Sequence, residues 1–157
     1  MNEGELDRLR QGVDRIEIHE LLNRYAHAID FMDWPLLEQV FTEDAVADYS
    51  SAADYVEIDS SPRGRDAIVA YYETALAPFA GVLHFMTNHL VELDGDRATT
   101  RSYMHVLNMG MGGIYTCRCR RTREGWRIEH LSLEERTFDE VVEKLTSHMR
   151  AIDEGKG

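Results

Sequence analysis

Cysteine and proline are scarce in these 157 residues, with two of the first and three of the second. Cys117 and Cys119 stand two apart in a strand-like run. That is too close for an ordinary structural bridge, and no second pair completes a zinc site, so reduced thiols are expected. No Pro/Gly-rich linker, repeat or low-complexity tract divides the chain. Only residues 1–12 and 153–157 read as frayed ends. Basic residues are also short: 17 Lys and Arg against 29 Asp and Glu leave a formal charge of −12. Such an excess disfavours nucleic-acid phosphate and anionic membrane surfaces as partners. Apolar runs fall well short of the roughly 20 residues that a membrane-spanning helix requires, and the charged start is unlike a secretion signal. A cytoplasmic location is the expectation. What remains is ordinary globular material, 43% hydrophobic and 29% charged. We read residues 1–157 as one domain with its core at about 12–150.

Periodicity orders the elements. Ile18, Leu21, Leu22, Tyr25 and Ile29 form the apolar stripe of a helix over residues 16–29. Asp33-Trp34-Pro35 is a helix start signal, with a short second helix through Leu36, Leu37, Val40 and Phe41. Residues 45–58 turn β-like and 60–64 read as a turn. A third helix is expected over 66–76, ending before Pro78. Four strand-like runs follow, at 83–93, 97–108, 114–121 and 126–133, separated by turn chemistry, so an antiparallel meander is expected. Phe138, Val141, Val142, Leu145, Met149 and Ile152 then mark a C-terminal amphipathic helix.

Helices first and strands afterwards is an α+β order, with helices covering one face of a sheet. It excludes a βαβ dinucleotide fold. No phosphate loop, HExxH pair or GxSxG elbow is present. No metal and no cofactor are expected. A sheet covered on one side leaves its other face to be covered. The row Ser102, Met104 and Val106 is not fully polar, so a homo-oligomer, dimer or trimer, is expected.

Taken alone, Asp30 reads as a helix-end residue and His84 as a structural histidine. The run Arg24-Tyr25-Ala26-His27-Ala28-Ile29-Asp30-Phe31-Met32-Asp33-Trp34, then Phe41-Thr42-Glu43-Asp44-Ala45-Val46 and Leu83-His84-Phe85-Met86-Thr87-Asn88-His89, changes that. It resembles the SnoaL-like branch of the NTF2-like, or cystatin-like cone, superfamily, over about residues 12–150. The resemblance implies a curved antiparallel sheet packed by N-terminal helices around an apolar pocket. Within that family its chemistry-bearing residues resemble those of scytalone dehydratase, bile-acid 7α-dehydratase and the hexachlorocyclohexane dehydrochlorinase, which are cofactor-free lyases using an Asp and His pair. Matched positions imply Asp30, His84 and Tyr25 as catalytic residues. A neutral imidazole takes a proton while a buried carboxylate fixes its tautomer.

The substrate-binding set expected from resemblance and strand alternation is Tyr49, Tyr103, His105, Tyr115 and Arg136. Three departures stand out. Leu107 occupies a position where those dehydratases carry His or Asp, with His105 two residues earlier on the same face. Tyr115 replaces a pocket Asn, and Arg136 is one residue off an Arg of the bile-acid enzyme. His89 has the opposite strand parity to His84 and reads as structural. Alternation sets both thiols on one face and Arg118 with Arg120 on the other, which suits a small-residue interior beside a solvated basic row.

Two classes of function stand. One is a cofactor-independent dehydratase or isomerase acting on a small, hydrophobic, oxygenated ring compound. The other is a non-catalytic binding domain or subunit, of the kind found as small subunits of ring-hydroxylating dioxygenases.

Overall fold

A computed structural model of the chain describes residues 1–55, 59–107 and 110–153. The order is α1 (Glu3–Asp30), β1 (Phe41–Asp48), α2 (Arg65–Ala75), β2 (His84–Asp94), β3 (Arg97–Val106), β4 (Met111–Thr122), β5 (Gly125–Thr137) and α3 (Phe138–Asp153). Short 3-10 turns at Trp34–Gln39, Ser50–Tyr55 and Ala77–Phe79 join them.

The first helix starts far earlier than its apolar stripe. Asn2 accepts from the Glu5 amide at 2.9 Å while Glu5 accepts from the Asn2 amide at 2.8 Å, a capping box that satisfies both orphan donors. The expected frayed start is therefore helix, although most of its first thirteen residues are exposed. Asp14 fastens this arm to the sheet: it accepts from the Trp126 indole at 3.2 Å and pairs with Arg121 at 2.6 Å.

Two other boundaries differ from expectation. The expected second helix is a 3-10 turn, and Phe41 opens β1 instead of closing that helix. Asp33 makes no side-chain cap there. The β-like stretch ends at Asp48 and a 3-10 turn follows; its last part, with Val56 and Ile58, lies outside the described residues, as do Asn108, Met109 and residues 154–157.

The sheet is curved, unclosed and ordered β1-β5-β4-β3-β2. The last four strands form the expected antiparallel meander, while β1 runs parallel to β5, with Ala47 opposite Leu131. Alternation along β3 buries Ala98, Thr100, Ser102, Met104 and Val106. Register then aligns Thr100 with Cys117, Ser102 with Tyr115 and Val106 with Met111 on that same inner face. The stripe of α1, including Ile18, Leu21, Leu22 and Tyr25, is buried in the same core. Fully burying each of these large side chains contributes about 1.5–3 kcal/mol.

The row Ser102, Met104 and Val106 thus faces the core and leaves nothing to cover outside. Apolar side chains on the outer side include instead Phe85 and Tyr103, both about half exposed, and the more exposed Leu90. In α3, Val142 and Met149 are exposed; the placement of the rest of its expected stripe lies outside the described side chains. Among the described residues, no helix is long and apolar enough to cross a membrane.

Candidate active site

Two chain ends meet to build the site. Helix α1 closes with the Met32 amide on the Ile29 carbonyl at 3.4 Å and the Asp33 amide on the Ala28 carbonyl at 2.9 Å, the bonding pattern of a Schellman motif. Its left-handed position holds Met32 at φ 54°, where glycine is usual. This tight stop leaves Asp30 as the last helical residue, with its side chain 8% exposed. Strand β2 opens at His84, directly against it. The backbone N–H of His84 donates to both carboxylate oxygens of Asp30, at 3.1 and 3.0 Å, and Nδ1 lies 2.6 Å from Oδ1.

In the tautomer that carries its proton on Nδ1, that atom donates to the Asp30 carboxylate and Nε2 keeps a free lone pair. Nε2 has no hydrogen-bond partner among the described residues. The His84 ring lines a small cleft of about 80 Å³ whose other walls, Leu76, Phe79, Val82, Val106 and Met111, are apolar.

Deeper in the core, Tyr25 of α1, Tyr49 after β1, Tyr72 of α2 and Tyr115 of β4 bring their hydroxyls together. Tyr25 meets Tyr49 at 3.1 Å, Tyr115 at 3.3 Å and Tyr72 at 3.3 Å. Tyr49 and Tyr72 are also in direct contact. Burial, ahead of every other cause, pushes all four phenols above their ordinary range, so each keeps its proton and can donate. Tyr25 meets the Tyr115 ring edge-on with centroids 5.5 Å apart, and Tyr49 stacks on Tyr71 at 4.9 Å, so the rings also hold one another.

The expected site residues therefore divide. Asp30 meets His84, and Tyr25, Tyr49 and Tyr115 meet one another. Tyr103, His105 and Arg136 do not join them. In β3 the inner positions are the even-numbered ones, which turns Tyr103 and His105 outward, where both are exposed. Leu107 is likewise 41% exposed. Arg136 lies opposite Gly112 on the outer side and pairs with Glu134 at 2.5 Å in the open.

His89 reverses its expected parity. The register slips between Thr87 and Leu90, and Asn88 takes φ 54°, so a bulge inserts one residue and returns His89 to the inner face with His84. There His89 Nδ1 lies 2.8 Å from the Ser102 hydroxyl, and its ring is 5.1 Å from that of His19. Burial, then the neighbouring His19, holds its imidazole below the usual range.

Tyr72 carries no site expectation from the sequence; it stands four residues, about one helical turn, before the cleft-lining Leu76. Glu135 was missed as well. It lies opposite Gly113, two residues beyond the inward Leu133, and its carboxylate oxygens are buried. Both cysteines are buried, and burial pushes the Cys117 thiol up to about 12, so neither is a ready nucleophile. Among the described residues, no group of three or more His, Cys, Asp or Glu could hold a metal ion.

Comparison with known proteins agrees with this architecture. Residues 11–132 match the family described as the SnoaL-like domain. An uncharacterised Mycobacterium tuberculosis protein, Rv2910c, is 34% identical over 127 residues, covering 73% of this chain and 80% of the relative. Two solved structures share the fold at 18% identity. A candidate scytalone dehydratase from Novosphingobium aromaticivorans superposes with a TM-score of 0.67 over 81% of this chain and 87% of its own. The hexachlorocyclohexane dehydrochlorinase LinA-type3 from Novosphingobium barchaimii does so at 0.65, over 83% and 90%.

Proposed function

The chain belongs to the SnoaL-like domain family, and from that premise we propose that it is a cofactor-independent lyase or isomerase acting on a small, hydrophobic, oxygenated ring compound. The observation that carries this reading is the pairing of His84 with Asp30 at 2.6 Å, with Nε2 left over for an apolar cleft. Nε2 takes a proton from carbon next to a carbonyl. The C–H electron pair becomes the new double bond, and the bond to a leaving oxygen breaks. The leaving hydroxyl takes a proton back from the imidazolium and departs as water, which returns His84 to its starting state. For an isomerase the same proton returns to a different carbon. Asp30 stabilises the imidazolium formed on the way.

Two structural neighbours are named for eliminations with different leaving groups, one a dehydratase and one a dehydrochlorinase. What such reactions share is a base that removes a proton. The apolar lining supports a carbocyclic substrate, and the phenol cluster supports an oxygen substituent.

Proton exchange at carbon can be tested on simple model compounds. A panel of small cyclic β-hydroxy ketones is incubated with the protein in D₂O and followed by NMR. Deuterium entry at the carbon next to the carbonyl, with or without loss of water, is expected for the wild type and not for His84→Ala. A member that binds the wild type without exchange or turnover would favour the binding-domain reading instead. We also propose that the chain self-associates through the outer sheet face, where Phe85 and Tyr103 are exposed.

A further inference from the structure

Helix α1 outruns the body that it belongs to. Its first eleven residues, 3–13, are exposed apart from the partly exposed Leu6, and Asp14 is the first buried position. Gly4 and Gly12 weaken this arm, because glycine costs a helix conformational entropy. Short helices hold in water chiefly where an apolar face is packed. The apolar face of the arm lies instead largely in solvent, with Leu9, Val13 and Ile16 at 57%, 53% and 63% exposed.

Leu6, Leu9, Val13 and Ile16 stand three, four and three residues apart, the a and d spacing of a helix-pairing seam. At 100° per residue their mean direction lies about 150° from that of the buried residues between Asp14 and Ile29. The seam therefore points largely away from its own core. On its flank, Leu6, Leu9 and Val13 border an open groove of about 740 Å³ against Leu93 and the β2–β3 turn, so that side is free as well.

We propose that this arm pairs with the same arm of a second copy, parallel and along a two-fold axis. Charge chooses the occupant's orientation. In a parallel pair, position g of one heptad faces position e of the next, five residues on in the other helix, which sets Glu5 against the second copy's Arg10. Among the described residues Arg10 has no ion pair in its own chain, and Glu5 keeps one carboxylate oxygen beyond its capping bond. The antiparallel register that buries all four apolar residues pairs Leu6 with Ile16 and Leu9 with Val13, and it brings Arg10 against Arg10. A seam from Leu6 to Ile16 is only about 15 Å long. It falls short of the roughly 800 Å² per partner of a standard interface, so the contact is weak and concentration-dependent. It is separate from the outer-face contact and independent of the elimination reading.

The test uses the full chain carrying Phe85→Ser and Tyr103→Ser, so that loss of the outer-face contact is not mistaken for loss of this one. Sedimentation at about 1 to 200 µM should show reversible dimers, and adding Val13→Lys with Ile16→Lys should raise their dissociation constant at least tenfold. Both positions are exposed, so near-ultraviolet circular dichroism should not change. Orientation is read by cross-linking. Leu9→Cys faces itself in the parallel pair and should form a disulfide between copies under mild oxidation, whereas Arg8→Cys, on another side of the helix, should not; the two native thiols are buried. A monomer at every concentration overturns the proposal, as do dimers indifferent to the two lysines. Linkage of Leu9→Cys only to Val13→Cys on the other copy overturns the parallel pairing. If the chain stays monomeric and the same lysines abolish its binding to phosphatidylcholine vesicles, the seam faces lipid and the pairing is overturned.

Discussion

The inner and outer faces of one strand, β3, differ in capacity for chemistry, and their fates run opposite to it. Outward are Arg97, Thr99, Arg101, Tyr103 and His105, and inward are Ala98, Thr100, Ser102, Met104 and Val106. The polar, aromatic set is the one that resembles a binding face. Yet it meets solvent, while the plainer set lies against α1 and the phenol cluster. A pocket is chosen by what covers it, and the chemistry of a row does not reveal its cover.

Several measurements press on that contrast, in falling order of expected effect. On the inner side, His84→Ala should cost about 10² to 10⁴ in turnover or in deuterium exchange, and Asp30→Asn a comparable amount. The double variant should cost little more than the worse single one, because the pair acts as a unit. Additive losses in a kinetic cycle would dissolve the dyad. Next, truncating the core under the same face, as in Leu22→Ala, should remove about 2–5 kcal/mol in urea unfolding. Outer substitutions such as Tyr103→Ala and Arg136→Ala should stay within about 0.5 kcal/mol and leave turnover unchanged. Sedimentation of a Phe85→Ser, Tyr103→Ser double variant should show weaker self-association; an unchanged assembly would exclude the outer face as the contact.

Acid offers another test. The imidazoles of His89 and His130 are held below their ordinary range, chiefly by burial. A depressed histidine favours the folded state while neutral, so stability is full above about pH 6.5 and falls as pH drops through the folded value. Denaturant midpoints measured at descending pH should decline less steeply for His89→Gln than for the wild type, and an identical slope would mean that the bulge does not hold a neutral ring. One substitution should stabilise the protein instead, Met32→Gly. Relief of the left-handed backbone should raise stability by about 1 kcal/mol in thermal unfolding without altering exchange at carbon.

Much of this molecule is legible in its residues alone. The stripe Ile18, Leu21, Leu22 and Tyr25 announces a helix with one buried side, and turn chemistry divides the four meander strands. Positions matched to the family single out Asp30 and His84, which lie 54 residues apart in the chain. Three features do not show. The parity of His89 turns on a bulge at Asn88, a residue no strand pattern marks as an insertion. Tyr72 looks like any apolar helix residue because a phenol's body packs like one, and its hydroxyl matters only when others arrive. Glu135 escapes notice because charged residues normally face water.

Local rules by themselves determined the elements and their alternation: side-chain period, capping groups and turn residues act over a few neighbouring positions, and a single chain carries all of that information. Only the tertiary structure decided which side of each strand is inside, that β1 closes against β5, and that four tyrosines from four separate segments share their protons. Those outcomes depend on which surfaces bury one another. Burial is a sum over contacts made across the whole chain, so no short stretch of sequence carries it alone.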